Sequence, residues 1–358
     1  MTFRIDNMRR ILLLANLFTT IIRCTNAFTG PIHHVKVQKY TNSIAAAPVQ
    51  PTHNNKHVTS LHLLPTAQES VTFVLPSCLT SINTESLIES SSSIATALFQ
   101  SSGNVALLPS FILNSVLFFL LRSKLITMLT PEGIAHSLAL GTMLWATLGW
   151  RGWTVCVLYL FLGQIVTKVG FREKEELGIA EKRGGRRGPE NVWGSAFTGV
   201  LCAAAAANAV KSGVPFLGLS SEVWILGYVA SLSTKLADTF ASEIGKAYGK
   251  TTFLITTLKP VPRGTEGAIS LEGTIASVFG GLLLPMYSYF VVGLVNGLDS
   301  IAVATLAAFV ATMIESLIGA TMQEKTGMGW MTNEVVNFFN TLIGASLAII
   351  MGMTLLRI

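Results

Sequence analysis

Charged residues are scarce in this chain. Only 12% of its 358 residues are charged, whereas 50% are hydrophobic and the mean hydropathy is +0.55. Soluble domains carry about a quarter charged residues, and the few charges here could not cover the surface of a soluble fold. The scarcity excludes a typical cytosolic enzyme and a disordered regulator. It favours an all-α polytopic integral membrane protein, whose apolar helices face lipid.

Cysteine and histidine are also rare. The four cysteines form no CxxC pair, which argues against a disulfide framework and a zinc site. Five of the six histidines precede residue 63, and His136 stands alone in an apolar segment, so a histidine-based catalytic triad is excluded. The net charge of +6 has no interleaved aromatic platform, so we expect no nucleic-acid partner. Chemistry must therefore rest on carboxylates, Lys, Arg, amides and hydroxyls.

The N-terminal part of the chain has the composition of a targeting sequence. Residues 1–27 place arginines before a short apolar core, as in a signal peptide, with a signal anchor as the competing interpretation. Residues 28–68 contain no Asp or Glu but several Ser, Thr and Lys, which is typical of a plastid transit segment. With its Ala-Phe junction, this order resembles the bipartite presequence of algae with red-type secondary plastids. A Ser-rich linker follows at residues 69–103, and we expect a plastid (chloroplast) membrane location.

Residues 104–358 form the predicted transmembrane catalytic domain. Apolar windows there predict about eight spans. The windows fall near residues 104–121, 133–150, 152–167, 192–210, 222–244, 273–296, 300–320 and 335–356. The connections richest in Lys and Arg fall on one side, which the positive-inside rule assigns to the cytosol-like or stromal compartment. On that side, Arg186 and Arg187 precede span four and are phosphate candidates.

Polar side chains are concentrated at the ends of four spans. They are Lys235, Asp238, Ser242 and Glu243 in span five, Glu272 before span six, Glu315 in span seven, and Asn333, Asn337 and Asn340 in span eight. Any one cluster could be a structural pair or interhelical hydrogen bond, but the predicted topology brings all four to the basic side. Carboxylates and amides without histidine suit Mg²⁺. We therefore expect Mg²⁺ as a cofactor, with Asp238, Glu243 and Glu315 as its ligands.

A basic, Gly-rich loop separates spans five and six. Its candidate phosphate-binding residues are Lys259, Arg263, Gly264, Thr265 and Gly267. Glycines let backbone N–H groups approach an anion, and Lys and Arg add positive charge. The preceding stretch, residues 245–250, has three residues between its glycines where a P-loop needs four. A P-loop fold is therefore excluded, and Lys250 stays a separate phosphate candidate.

Four motifs in this order resemble a known family. They are Leu236-Ala-Asp-Thr with Ser242-Glu-Ile-Gly245, Pro262-Arg-Gly-Thr-Glu-Gly267, Glu315-Ser-x-x-Gly319-Ala-Thr, and Asn333-Glu-Val-Val-Asn337-x-x-Asn340-Thr-x-x-Gly344. The set resembles the integral membrane family that contains transmembrane protein 19 and the plant phytyl-phosphate kinase of tocopherol synthesis. That family is similar to the CTP-dependent phytol and dolichol kinases. The resemblance covers about residues 105–356, the whole membrane part.

The resemblance implies phosphoryl transfer from a nucleoside triphosphate, such as CTP, to an isoprenyl monophosphate. The plastid address favours phytyl monophosphate, with its tail in membrane lipid and its product feeding tocopherol or prenylquinone synthesis or phytol recycling. Asp238 and Glu243, with Glu272 and Glu315, would hold Mg²⁺ on the donor phosphates. Positive charge would come from Lys235, Lys250, Lys259 and Arg263. The backbone of residues 263–267 would bind phosphate, and the ligands would also be bound by Ser242, Asn333 and Asn337.

Two other functional classes stay open. A membrane cytidylyltransferase would use the same pocket but release pyrophosphate, and Ile269 stands where the related lipid kinases carry Lys before Ser270. A lipid transporter or a non-catalytic membrane protein would need carboxylates spread through the bilayer midplane, often with inverted repeats. The reaction products distinguish the three classes.

Overall fold

The computed structural model describes residues 92–100, 103–323, 329–356 and 358, which all lie within one compact unit, residues 75–358. The predicted signal peptide, the transit segment and most of the Ser-rich linker lie outside the described residues. The helices are α1 (Leu107–Leu120), α2 (Arg122–Met128), α3 (Pro131–Thr167), α4 (Phe171–Glu176), α5 (Pro189–Ser212), α6 (Ser221–Tyr248), α7 (Leu271–Met286), α8 (Leu298–Met322) and α9 (Asn333–Met351). Strands β1 (Thr252–Leu254) and β2 (Ala268–Ser270) pair antiparallel between α6 and α7.

Shorter helical turns extend or connect these elements. The described end of the predicted linker is helical at residues 92–98. A 3-10 turn, Lys182–Gly185, precedes α5, and π-helical turns at Tyr287–Val291 and Gly352–Leu356 continue α7 and α9. The fold is therefore all-α in character, as the sequence predicts.

Local sequence explains where the long helices begin. The hydroxyls of Thr130, Ser220, Ser270 and Thr332 each accept a hydrogen bond from a backbone N–H in the first turn of the helix that follows. Such caps satisfy donors that otherwise have no partner inside the helix. Proline at the first position of α3 and of α5 adds a backbone already set for helix.

Helix α3 reverses direction at Gly149. This glycine has φ 64° and ψ −163°, a conformation that residues with a side chain rarely adopt. The rings of Trp145 and Trp153 lie 5.2 Å apart, whereas eight residues of straight helix would separate them by about 12 Å along the axis. The predicted spans 133–150 and 152–167 are therefore two antiparallel arms.

Helix α6 is the centre of the bundle. It packs against α3, α5, α7, α8 and α9, and its residues from Ala230 to Leu236 are almost fully buried. One core cluster joins Leu226 and Ala230 of α6 to Ala304 and Ala307 of α8 and to α9. Small residues let helix backbones approach closely inside a membrane.

The outer faces of the bundle are apolar. Large hydrophobic side chains such as Phe119, Ile275 and Phe279 are more than half exposed, as expected where lipid is the solvent. Four described helices, Pro189–Ser212, Leu271–Phe290, Leu298–Met322 and Asn333–Leu356, are long and apolar enough to cross a membrane. The number becomes five if α1 and α2, which meet at 83°, form one broken span. The count of eight spans is not confirmed.

The connections between helices collect at two ends of the bundle. At one end, Arg263 pairs with Glu173 at 3.1 Å, which joins the β1–β2 loop to α4. At the opposite end, the Asn296 amide donates to Glu222 at 3.3 Å and Arg151 donates to the Gly293 carbonyl at 3.3 Å. The basic connections therefore share one end, here called the basic end.

Candidate active site

A buried lysine joins α6 to α9 towards the basic end. The Lys235 ammonium lies 2.5 Å from Oδ2 of Asp238, one turn further along α6, and 2.7 Å from Oδ1 of Asn337 in α9. All three residues are less than a tenth exposed. An ion pair removed from water is maintained only when further hydrogen bonds satisfy its members, and Asn337 supplies one. These residues form the Lys235 cluster.

Two further carboxylates lie beside the Lys235 cluster. Glu315 of α8 lies close enough to Asp238, Lys235 and Glu266 to interact with them electrostatically. Glu266 belongs to the β1–β2 loop. The cluster therefore brings together charged groups from α6, α8 and this loop with the Asn337 amide of α9.

The local sequence of α6 and α9 sets this geometry. Hydroxyls of Ser233, Thr234 and Thr239 bond back to carbonyls of their own helix, so α6 carries polar residues without unpaired groups. Gly344 of α9 packs directly on the Thr234 side chain, which a Cβ at that position would overlap. This close approach brings Asn337, two turns earlier in α9, to Lys235.

Glu243 lies in a different environment from Asp238. Its carboxylate pairs with the Lys174 ammonium, and both side chains are almost completely buried. Lys174 also donates to the Thr167 carbonyl at 3.0 Å. Five residues apart on α6, Glu243 and Asp238 point in different directions. The predicted metal ligand Glu243 therefore fastens α4 to α6 in this structure.

The donor set at the cluster fits a hydrated divalent cation in part. Within residues 92–100, 103–323 and 329–356, no three His, Cys, Asp or Glu side chains are placed to hold a metal ion together. Asp238 and Glu315 are nevertheless neighbours, with the Asn337 amide on the same lysine. Mg²⁺ is usually bound by one or two carboxylates together with substrate phosphates and water, a number of carboxylates that Asp238 and Glu315 match.

The β1–β2 loop is held against α8 and the end of α6. Arg263 donates to the carbonyls of Lys246 and Ala247 at 3.3 and 3.1 Å, and so caps the C-terminus of α6. Gly264 and Gly267 have φ values of 85° and 72°, and a Cβ on Gly267 would meet Ala320 and the Ser316 carbonyl. The loop is thus anchored beside Glu315.

The remaining predicted residues surround the cluster without joining it. Glu272 accepts a hydrogen bond from the Lys250 backbone N–H at 3.3 Å, and Ser242 bonds back to the Thr239 carbonyl at 3.3 Å. Thr265 bonds to the Pro262 carbonyl within its own loop. Lys250, Lys259 and Asn333 are exposed at the basic end.

Three residues that the sequence leaves without a role lie at or near the site. Tyr159 lies within electrostatic range of Lys235, and Lys174 is the partner of Glu243. Asn340 is fully buried one turn after Asn337, and neither atom of its amide has a partner among the described residues. Only Asn340 had a signal in the sequence, the spacing of three asparagines on one face of α9.

Comparison with known proteins agrees with a membrane fold. The model of the integral membrane protein family DUF92 matches residues 114–345. An uncharacterized membrane protein of Synechocystis sp. is 55% identical over 243 residues, covering 68% of this chain and 90% of that protein. Protein VTE6, chloroplastic, of Arabidopsis thaliana is 44% identical over 249 residues, covering 69% and 73%. An uncharacterized membrane protein of Methanocaldococcus jannaschii is 28% identical over 228 residues, covering 63% and 87%. No solved structure matches.

Proposed function

Because the chain belongs to the integral membrane family DUF92, we propose that it is a kinase for an isoprenyl monophosphate. The donor is a nucleoside triphosphate, with CTP favoured, and the acceptor is phytyl or another isoprenyl monophosphate. The products are the isoprenyl diphosphate and the nucleoside diphosphate. The proposal takes its reaction from the resemblance of the four ordered motifs to the family with the plant phytyl-phosphate kinase.

The observation that carries the proposal is the Lys235 cluster. Its lysine bridges α6 and α9 at 2.5 and 2.7 Å, beside a second carboxylate on α8. Charged groups inside a membrane bundle are costly and usually serve a substrate or ion pathway. The buried cation suits an anionic phosphate, and the neighbouring carboxylates suit a divalent cation that would bridge to the phosphates.

The transfer step needs positioning more than acid–base chemistry. An oxygen of the acceptor phosphate attacks the γ-phosphorus, and the bond from that phosphorus to the β–γ bridging oxygen breaks, so that oxygen keeps the electron pair. The acceptor is already anionic, so no strong base is required. Asp238 and Glu315 would hold Mg²⁺, which neutralises charge on the donor phosphates. Lys235 stabilises charge on the transferring group.

A plastid membrane is the proposed location. The acid-free segment at residues 28–68 has transit composition, and the similar Arabidopsis protein carries the word chloroplastic in its name. A phytyl diphosphate formed there would feed tocopherol or prenylquinone synthesis.

The test is product analysis with the purified full chain. The protein is incubated with phytyl monophosphate, Mg²⁺ and each nucleoside triphosphate in turn, and the lipid and nucleotide products are identified. We expect phytyl diphosphate and a nucleoside diphosphate. Asp238→Asn, which keeps the shape of the side chain, should lower the rate by about 10²- to 10³-fold, as removal of one charge-stabilising group does in other enzymes.

Asp299→Asn is the matched control. Asp299 lies exposed in the first turn of α8, at the other end of the bundle, so its variant should keep the full rate. A CDP-linked lipid with pyrophosphate would instead assign the chain to the cytidylyltransferases. No turnover of any isoprenyl phosphate by folded protein would reject the kinase and favour a transporter.

A further inference from the structure

A cavity lies between α1, the two arms of α3 and the start of α5. It opens to the exterior, and the space inside it together with the open space at its mouth is about 560 Å³. Apolar side chains such as Phe118, Leu140, Leu144 and Val157 form most of its wall. A cavity with such a wall takes an apolar group.

One end of this cavity is polar. Arg187 lies at its lining, where its guanidinium donates to the Tyr159 hydroxyl and stacks 5.2 Å from the centre of that ring. Gly163 leaves the space that the guanidinium fills, because a Cβ there would lie 2.6 Å from Nη2. Among the described residues, no carboxylate forms an ion pair with Arg187. A half-buried arginine without a counter-ion suits an anionic ligand.

The polar end of the cavity lies towards the Lys235 cluster. Tyr159 accepts a hydrogen bond from Arg187 and lies within electrostatic range of Lys235. The backbone of Arg187 is fixed by hydrogen bonds to the Met128 carbonyl and from the Thr130 N–H, both at 3.0 Å. The apolar wall of the cavity, the guanidinium of Arg187 and the Lys235 cluster therefore follow one another in this order.

We propose that the cavity binds the isoprenyl chain of the acceptor, with Arg187 holding its phosphate beside the Lys235 cluster. This inference rests on the proposed kinase and adds where the chain lies: inside the protein, between α1, α3 and α5, and not in the surrounding lipid. The order of apolar wall and unpaired cation matches a ligand with one long apolar chain and one terminal phosphate.

The test fills the cavity and measures binding separately from turnover. Full-length Val157→Phe narrows the wall, and Ile165→Phe is its control because Ile165 is 45% exposed on the same helix. Binding of phytyl monophosphate and of dimethylallyl monophosphate is measured by calorimetry in detergent. We expect Val157→Phe to raise the Kd of phytyl monophosphate about tenfold, as for roughly two methylene groups that lose apolar contact. Dimethylallyl monophosphate should bind the variant as it binds the control.

A second variant tests the polar end. Arg187→Gln removes the cation, so it should weaken binding of phytyl monophosphate by about tenfold or more, while binding of the uncharged alcohol phytol should stay unchanged. Equal losses for both ligands would show that the variant disturbs the wall and would overturn the role of Arg187.

The outcomes separate this inference from the kinase. Binding that depends on Val157 and Arg187 without diphosphate formation would support the cavity and reject the kinase. Diphosphate formation with an unchanged Kd in Val157→Phe would reject the cavity and leave the kinase standing. If phosphatidic acid binds as tightly as phytyl monophosphate, and Val157→Phe raises the Kd of both ligands by the same factor, the cavity holds a bilayer lipid and the inference fails.

Discussion

Asn337 and Asn340 have the same side chain and are both buried on the same face of one helix, but they differ in their hydrogen bonds. Asn337 accepts a hydrogen bond from Lys235 at 2.7 Å, whereas the amide of Asn340 has no partner among the described residues. A buried amide without a partner costs about 1–3 kcal/mol of stability. The two positions therefore form a matched pair for substitution.

We expect Asn340→Leu to stabilise the fold by about 1 kcal/mol, because it replaces an unpaired amide by an apolar side chain of similar volume. Asn337→Leu should instead destabilise by about 1–2 kcal/mol, because Lys235 loses an acceptor. Thermal unfolding of the two variants in the same detergent measures both. A loss of stability in Asn340→Leu would show that its amide is bonded in the folded protein. The turnover rate of Asn340→Leu then shows whether the amide of Asn340 binds the substrate.

At the scale of elements, the contact of α6 with α9 positions the site. Gly344 meets Thr234 where a Cβ would overlap its side chain, and Asn337 lies two turns before that contact. The spacing between these helices therefore determines whether the Asn337 amide reaches Lys235.

Gly344→Ala should push α9 away from α6 and cost about 1–3 kcal/mol of stability, the usual range for an overpacked core. Turnover should fall with it, because the 2.7 Å contact between Lys235 and Asn337 lengthens. Gly281→Ala in α7 is the control: its Cβ would lie 3.4 Å from Ala308, an ordinary contact, and alanine favours helix. Thermal unfolding and product formation would be measured for both variants. If both lose the same stability and the same activity, the close approach of Gly344 to Thr234 is not the cause of the losses.

The sequence predicts the helical elements well, because apolar windows report burial in lipid directly. Every predicted span overlaps a helix or an arm of one, and the reversal at Gly149 falls at the end of the predicted span 133–150. Side-chain partners are less accessible. Lys174 lies in α4, within a connection rich in charge, and nothing in its spacing indicates that it reaches the buried Glu243 of α6. Likewise, nothing in the sequence distinguishes Tyr159 from other residues of an apolar span. Its place near the site follows only from the way α3 folds back beside α6.

For the whole molecule, the basic end and the opposite end should face different compartments. Lys182 and Lys259 are exposed on connections at the basic end, and Val214 is exposed on the α5–α6 connection. We expect single cysteines placed by Lys182→Cys and Lys259→Cys, in a chain whose native cysteines are replaced by serine, to react with a membrane-impermeant maleimide from one side of sealed vesicles. Val214→Cys should react only from the other side. Labelling of all three from the same side would contradict the arrangement.

The backbone bonds that fix Arg187 to the α2–α3 connection have a consequence for affinity. Ordering the backbone of one residue costs about 1–2 kcal/mol in conformational entropy. The Arg187 backbone already loses this entropy when the protein folds, before any ligand binds. A ligand that meets an already ordered arginine keeps more of its contact free energy as affinity. Loosening the connection at Met128 and Thr130, which hold the Arg187 backbone but do not line the cavity, would therefore weaken binding through entropy, with the lining side chains unchanged.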